Sequence, residues 1–419
     1  MADDDPVTRQ NMDKRQSRKV NRDSFVAAID EWRANNPPAP KEPSEPSAAA
    51  VGQVRTPLGC ICEGGMGVGA SQGPPALQHQ ASGKRRLRAL VRKRPLFEHE
   101  RSRAEFDVVS MRGNGAVVVH NCCMQPDLKR MFLRHTQYTV SEAFDETTET
   151  LEVCERGVHP LLSNVGSGGS STLFMYGQTG SGKTHTMAGI EEYAAKMLLP
   201  TEPRVGADGL PVPLGSLCYF EIAGSRCVEL MGDDYGRELP LKQDADGRVQ
   251  PVGCHVEPIH TWSALLEHIA TAKSRRATSA TGANAVSSRS HAVCQLTLAP
   301  PAAQAAGSRK PSGGRRAAAR LPVLTLVDCA GTERKEDSMW HDADRRREGA
   351  EINQSLHALK ECMRHWVMVQ DGKSSLIPYR ESALTRVLAD SFARSDTLSN
   401  FQTLLFRTLV FQTNPNLRP

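Results

Sequence analysis

Residues 177–184 read Gly177-Gln178-Thr179-Gly180-Ser181-Gly182-Lys183-Thr184, directly behind the apolar run TLFMY (172–176) and ahead of a helix-compatible stretch. The pattern G-x-x-x-x-G-K-[ST], in the order strand, loop, helix, is that of a phosphate-binding loop. Glycines let backbone N–H groups turn inward around phosphate oxygens, and the helix N-terminus adds positive potential. Lys183 can reach the β- and γ-phosphates of a nucleotide, and the Thr184 hydroxyl can ligate Mg2+. A chance match in a glycine-rich turn would lack the strand in front of it.

Outward from this loop, strand-like and helix-like stretches alternate from Leu87 onward. LRALVRKRP reads as a first strand stopped by Pro95, and LCYFEIAG, AVCQLTLAP and LPVLTLVD as further strands. LPVLTLVD is nearly continuous in apolar residues, as a central strand buried on both faces should be. Helical stretches are expected over Glu351–Val367 and Glu381–Phe392. The pattern predicts an α/β fold of the P-loop NTPase class, three-layered, with a central mostly parallel mixed sheet and helices on both faces. Ala302–Arg320 reads as an exposed basic insertion and Pro200–Leu214 as a loop.

Two further segments complement the phosphate loop. Asp328-Cys329-Ala330-Gly331-Thr332-Glu333 follows the buried strand, where Asp328 can hold Mg2+ through water and the Gly331 N–H can meet a γ-phosphate. Alone this would be a plain turn. Asn284-Ala285-Val286-Ser287-Ser288-Arg289-Ser290-His291 places two hydroxyls beside an arginine, suited to Mg2+ and a water. Arg289 and Glu333 carry opposite charge and can close the site over ATP. Alone, SSRS is more often a solvated loop.

With these segments in order, the chain resembles a kinesin motor domain over Leu87–Ala393. The resemblance rests on GQTGSGKTHTM, NAVSSRSHAV, LVDCAGTER, GAEINQSLHALKEC, IPYRESALTRVLADSF and the early VRKRP. VRKRPL, EGAEINQSLHALKEC and YFEIAGSRCVELM are most similar to the internal-motor, microtubule-depolymerising class, kinesin-13. In QPDLKRMFLRHTQY, Asp127 falls where that class carries Lys-Val-Asp, with Gln125 and Pro126 in place of the other two.

The resemblance implies a role for each matching position. Arg92, Arg94, Pro95 and His185 would flank adenine, and Gly177 to Thr184 would hold the phosphates. Ser287 and Ser288 would act on Mg2+ and the lytic water, with Thr184, Ser288 and Asp328 as the metal's ligands. Asp328, Gly331 and Glu333 would form a second switch, Glu333 pairing with Arg289. The residues carrying hydrolysis would be Lys183, Ser287, Ser288, Arg289, Gly331 and Glu333. Asp127, Lys360, Arg364, Lys373, Arg380 and Arg386 would meet tubulin, although each basic one taken singly is nearly as well read as a solvated surface charge. The implied activity is microtubule-stimulated ATP hydrolysis coupled to depolymerising filament ends. The alternatives are a kinesin that translocates along the lattice, and a non-catalytic microtubule- or nucleotide-binding relative.

Three departures accompany the resemblance. Cys329 stands where leucine is usual. Ala383 replaces the lysine of the family's S-K-L-T, and Ala389 is also uncharged. After Phe392 the family's last core strand and long helix cannot be mapped, and Leu404–Gln412 is the candidate for a substitute strand.

The rest of the chain sets bounds. Residues 1–83 are expected to form a neck-like helix over Ser24–Arg33, with Ser24 as its N-cap, and a Pro/Gly/Ser-rich linker over Asn35–Gly83; the motor domain would occupy 84–419. The 419 residues carry Lys+Arg 52 against Asp+Glu 47, a net charge of +5 that does not by itself call for nucleic acid. Aromatic residues are only 5%, few for base stacking, and KRRLRALVRKR serves better as first strand and adenine wall, so no DNA or RNA partner is expected. No apolar run of about 18 residues exists, so no membrane partner is expected either. Cysteine is odd in number, 11, without metal-ligand spacing, which fits a reducing setting; His120, Cys122 and Cys123 are better explained by core and loop. Cytoplasm and cytoskeleton are the expected location. No sustained heptad appears, so a dimer would form through regions outside this chain.

Overall fold

Along the strand Ser170–Tyr176, side chains alternate between two cores: Leu173 and Met175 enter one, Phe174 and Tyr176 the other. That period of two makes it a strand buried on both faces. The computed structural model describes residues 20–38, 87–113, 115–125, 131–243, 249–278, 289–299, 321–332, 343–392 and 401–409. Most of the expected linker and the basic insertion Ala302–Arg320 lie outside these residues.

In chain order the elements are α1 (Arg22–Asn35), β1 (Leu87–Lys93), β2 (Val109–Met111), β3 (Ala116–Met124), β4 (Met131–Thr139) and β5 (Glu142–Phe144). There follow α2 (His159–Gly166), β6 (Ser170–Tyr176), α3 (Lys183–Leu198), β7 (Gly215–Ala223), β8 (Arg226–Glu229), β9 (Glu257–Ile259) and α4 (Trp262–Thr278). The last are β10 (His291–Leu298), β11 (Val323–Asp328), α5 (Ala343–Gln370), α6 (Ala383–Val387) and β12 (Phe401–Leu409). Two small hairpins, one inside the expected loop Pro200–Leu214, complete the strands described.

A nine-stranded sheet runs β8-β7-β10-β11-β6-β12-β1-β5, with β9 paired to β7. From β11 to β5 every pairing is parallel, and from β8 to β11 every pairing is antiparallel. β6 and β11 therefore end at the same edge, with Asp328 opposite Met175. Parallel neighbours place the loops after their C-terminal ends side by side, which is where open α/β sheets bind ligands.

Helices α2, α3 and α4 cover one face through residues such as Leu162, Met187, Ile190, Leu265 and Ile269. Helices α5 and α6 cover the other through Leu356, Leu359, Cys362, Trp366 and Leu384. Among the described residues, no helix is long and apolar enough to cross a membrane.

The expected C-terminal substitute strand exists, but starts earlier and is not marginal: β12 inserts between β6 and β1, with Leu405 opposite Phe174 on one side and Ala89 on the other. Glu381–Phe392, expected as one helix, is broken. Ser382 is extended (φ −145°, ψ 159°), and its Oγ accepts from the Thr385 N–H at 3.1 Å, starting α6 afresh.

Helix α1 begins at Arg22, with Asn21 rather than Ser24 at its N-cap. Its Phe25 and Ile29 pack with Val109, Val117 and Val119 of the small sheet β2-β3-β4. At its end, Trp32 stacks on His135 (centroids 5.0 Å apart) and meets His120 edge-on (4.7 Å). Arg33 and Lys93 both place a nitrogen 2.8 Å from Asp107 Oδ2, tying the helix to the end of β1.

Candidate functional site

The loop after β6 takes its shape from glycine. Gly182 caps α3 with φ +90°, a left-handed conformation disfavoured for residues with a Cβ. The Ser181 N–H donates to Gln178 O at 3.1 Å, closing the turn. Lys183 is buried at the first position of α3, its Nζ donating to Gly177 O and Gln178 O at 3.0 Å each. The ammonium thus spans the mouth of the loop, held by carbonyls that a phosphate oxygen can replace. Thr184 and His185 are exposed on the following turn.

Arg94 braces the loop from the side of β1. Its Nε donates to Gly180 O at 2.9 Å, its two terminal nitrogens grip the Glu100 carboxylate, and its guanidinium carbon lies 4.4 Å from the Phe97 ring centroid. This grip holds the Glu100 carboxyl below the usual range. Arg92 donates to Thr186 Oγ1 (3.1 Å) on α3 and to Thr148 O (3.2 Å). Pro95 is exposed beside them. Of the residues expected to flank adenine, Arg94 thus touches the loop and Arg92 the helix behind it.

On the other side stands Asp328 at the end of β11. The Thr332 N–H donates to Gly177 O at 3.3 Å and the Cys329 N–H to Met175 O at 3.1 Å, stitching the Asp328–Thr332 turn to the phosphate loop. Gly331 is buried within this turn. Burial raises the Asp328 pKa; Arg276, Lys183 and Lys273 act against it. Asp328 Oδ1 is buried with no hydrogen-bond partner among the described residues. A buried carboxylate oxygen without a hydrogen-bond partner among the described residues, next to a loop that ends in the Thr184 hydroxyl, is oxygen chemistry that fits Mg2+.

The sequence reading missed the groups that hold Asp328 from behind. Arg276, buried at the end of α4, places Nη1 3.5 Å from Asp328 Oδ2 and Nε 3.7 Å from Glu221 Oε2, and donates from Nη2 to Ser290 O at 2.6 Å. Ser290 Oγ donates to Glu221 Oε2 at 2.7 Å. One helical turn earlier, Lys273 pairs with buried Glu191 of α3. Nothing local distinguishes Arg276 from Arg275 beside it, which is half-buried and donates to Leu230 O and Gly232 O; the signal lies in partners remote in sequence.

Of the other expected residues, Arg289 is half-buried just before β10, while Ser287, Ser288, Glu333 and Asp127 lie outside the described residues. Lys360 and Arg364 lie one turn apart on α5, exposed, and Lys373 and Arg380 are exposed in the segment leading to α6, which carries half-buried Arg386. All five belong to the layer over the second core. Lys360 Nζ lies 5.4 Å from the ring centroid of Tyr176, the residue preceding the phosphate loop, and Arg364 pairs with Glu361 at 2.6 Å.

Residues 92–409, from the first strand through β12, match the family model "Kinesin motor domain". The chain belongs to the kinesin motor domain family. It is 35% identical to human kinesin-like protein KIF24 over 311 residues, 73% of this chain and 21% of that protein. It is 33% identical to the rice kinesin-like protein KIN-13A over 312 residues, 73% of this chain and 37% of that one. This kinesin thus spans less than half the length of both relatives. Among solved structures, a KIF14–ADP complex with a microtubule superposes with a TM-score of 0.58 at 24% identity, covering 78% of this chain and 90% of that one, a likeness of fold. Kinesin motor domains bind nucleotide, and residues 177–184 lie within the matched span.

Proposed function

We propose that this kinesin hydrolyses ATP under stimulation by microtubules and couples the cycle to shortening microtubule ends. The observation that carries the reading is the stitched pair of turns: the phosphate loop with buried Lys183 on one side, and Asp328–Thr332 on the other, where one Asp328 carboxylate oxygen has no partner among the described residues. Relatives named KIN-13 in rice and Arabidopsis, at 33% identity, support the depolymerising arm, as do the kinesin-13-like stretches of the sequence.

The chemistry asked of the protein is positioning and electrostatics. Lys183 exchanges its carbonyl partners for phosphate oxygens. Backbone N–H groups from Gly182 to Thr184 would face the phosphates at the start of α3, and the Gly331 N–H would meet the terminal one. Thr184, Asp328 and Ser288 would hold Mg2+, which supplies charge neutralisation when bound with nucleotide. Arg92, Arg94, Pro95 and His185 wall the adenine side. Ser287, Arg289 and Glu333 complete closure over the terminal phosphate. Lys360, Arg364, Lys373, Arg380, Arg386 and Asp127 offer the tubulin-facing contacts, on the cytoskeleton.

The test is phosphate release from Mg-ATP, with and without microtubules, against Lys183→Ala. Stimulated release lost in the variant supports the motor; a folded protein turning over no faster than the variant overturns it. Stabilised microtubules shortening from their ends separate depolymerisation from movement along the lattice.

A further inference from the structure

His291, the first residue of β10, is wholly buried, and none of the catalytic roles above uses it. Its Nδ1 accepts the backbone N–H of Ala330 at 3.1 Å. That bond fixes the tautomer: in the neutral ring the proton sits on Nε2. Nε2 lies 2.7 Å from Ser355 Oγ, so the ring donates to the hydroxyl. The hydroxyl's own hydrogen goes to Ile352 O at 2.7 Å, in the preceding turn of α5. Every donor in the series Ala330 N–H, His291 Nε2–H, Ser355 O–H has one acceptor, and all point the same way.

The two ends of this series differ in character. Ala330 lies between Asp328 and Gly331, in the turn that closes against the phosphate loop. Ser355 is buried on α5, the helix that exposes Lys360 and Arg364 one and two turns further on. Residues 333–342 join the two by chain. The imidazole joins them directly, through a rigid ring in a close-packed layer.

We infer that His291 is a positioning residue that couples the Asp328–Thr332 turn to helix α5, so that contact made on α5 is felt at the nucleotide site through this ring. The inference rests on the motor reading proposed above. Satisfying both nitrogens of a buried imidazole needs two partners, and here the two come from different elements: the turn beside the phosphate loop and helix α5.

The bridge can be cut from its far end. Ser355→Ala removes the acceptor on α5 and leaves the nucleotide-facing turn untouched. His291→Asn keeps an acceptor near the Nδ1 position and loses the reach to Ser355. Expected for both is basal Mg-ATP turnover within about twofold of the native protein and microtubule stimulation reduced about tenfold, with the double variant no worse than either single. Folded variants with undiminished stimulation, or basal and stimulated rates falling together, overturn the coupling and leave a structural role.

Hydrogen exchange on the native protein and Ser355→Ala gives a readout free of turnover. Adding Mg-ADP should change protection across residues 352–359 in the native protein and not in the variant. An equal response in both, or none in the native protein, overturns the inference. Native protein that lacks stimulation yet shows the exchange difference would fail the motor reading and keep the bridge.

Discussion

The guanidinium of Arg276 stands 3.5 Å from the carboxylate of Asp328 and 3.7 Å from that of Glu221. One buried cation thus serves two buried anions and the Ser290 carbonyl. Replacing it by alanine strands both carboxylates away from water. Arg276→Ala is expected to cost about 3–5 kcal/mol, the usual range for breaking a buried ion pair. Chemical denaturation measures it. Arg276→Lys should recover only part, because a single ammonium cannot reproduce three directed contacts.

Asp328 itself is expected to behave in the opposite sense. Its raised pKa means that folding disfavours its charged form. Asp328→Asn should therefore hold or raise the melting temperature of the nucleotide-free protein, while Mg-ATP turnover falls by on the order of 100-fold. A variant that melts well below the native protein would contradict the burial account.

Gly182 has a conformational role and no steric one. A Cβ there would meet only Arg94 Cδ, 4.0 Å away, yet φ is +90°. Gly182→Ala is expected to cost about 1–2 kcal/mol from the left-handed backbone alone. Because the strain falls on the phosphate loop, nucleotide affinity should drop with it, read by titration of a fluorescent ADP analogue.

The docked helix α1 should respond to acid. His120 Nδ1 and His135 Nδ1 are 2.7 Å apart under Trp32, and His120 Nε2 lies 2.8 Å from Ser110 Oγ, which also accepts from Arg33 Nε at 3.0 Å. Burial pushes His120 down to about 4, helped by His135, Arg33 and Lys93, and burial lowers His135 as well; the Asp107 carboxylate nearby is shared by Arg33 and Lys93. Both groups titrate lower when folded, so the unfolded or undocked form binds more protons below its pKa of about 6.5. Stability is full above that pH and is lost as pH falls from about 6.5 toward 4. Hydrogen exchange over residues 22–35 should rise across that window, and His135→Gln should flatten the rise.

Much of this was legible because the phosphate-loop strand, the strand ending at Asp328 and the strand after His291 are apolar runs with sharp ends. The local order strand, glycine loop, helix is dictated within about a dozen residues, and Lys183 falls where it must. Arg276 was illegible for the converse reason: its partners sit on other strands, so only the fold gives it meaning. Ser382 did leave a signal, a serine three residues before Thr385, yet the apolar spacing beyond it masked the break. The composition of Leu404–Gln412 marks a strand, and the structure starts it three residues sooner, at Phe401; its position in the sheet has no local mark. A central parallel strand pairs with segments far away in the chain, and its own composition does not say which.

That position orders the events of folding. The phosphate-loop strand and the first strand are never each other's neighbours; the gap between them is filled by residues 401–409. During synthesis, everything from Leu87 to Phe392 emerges while the sheet lacks its middle, with two open edges facing one another across a missing strand. Such edges invite pairing with other chains. Closing the sheet demands a contact between distant ends of the chain, the kind that slows folding. Assembly of this part of the sheet therefore waits on residues 401–409, which are made after both of the strands they join.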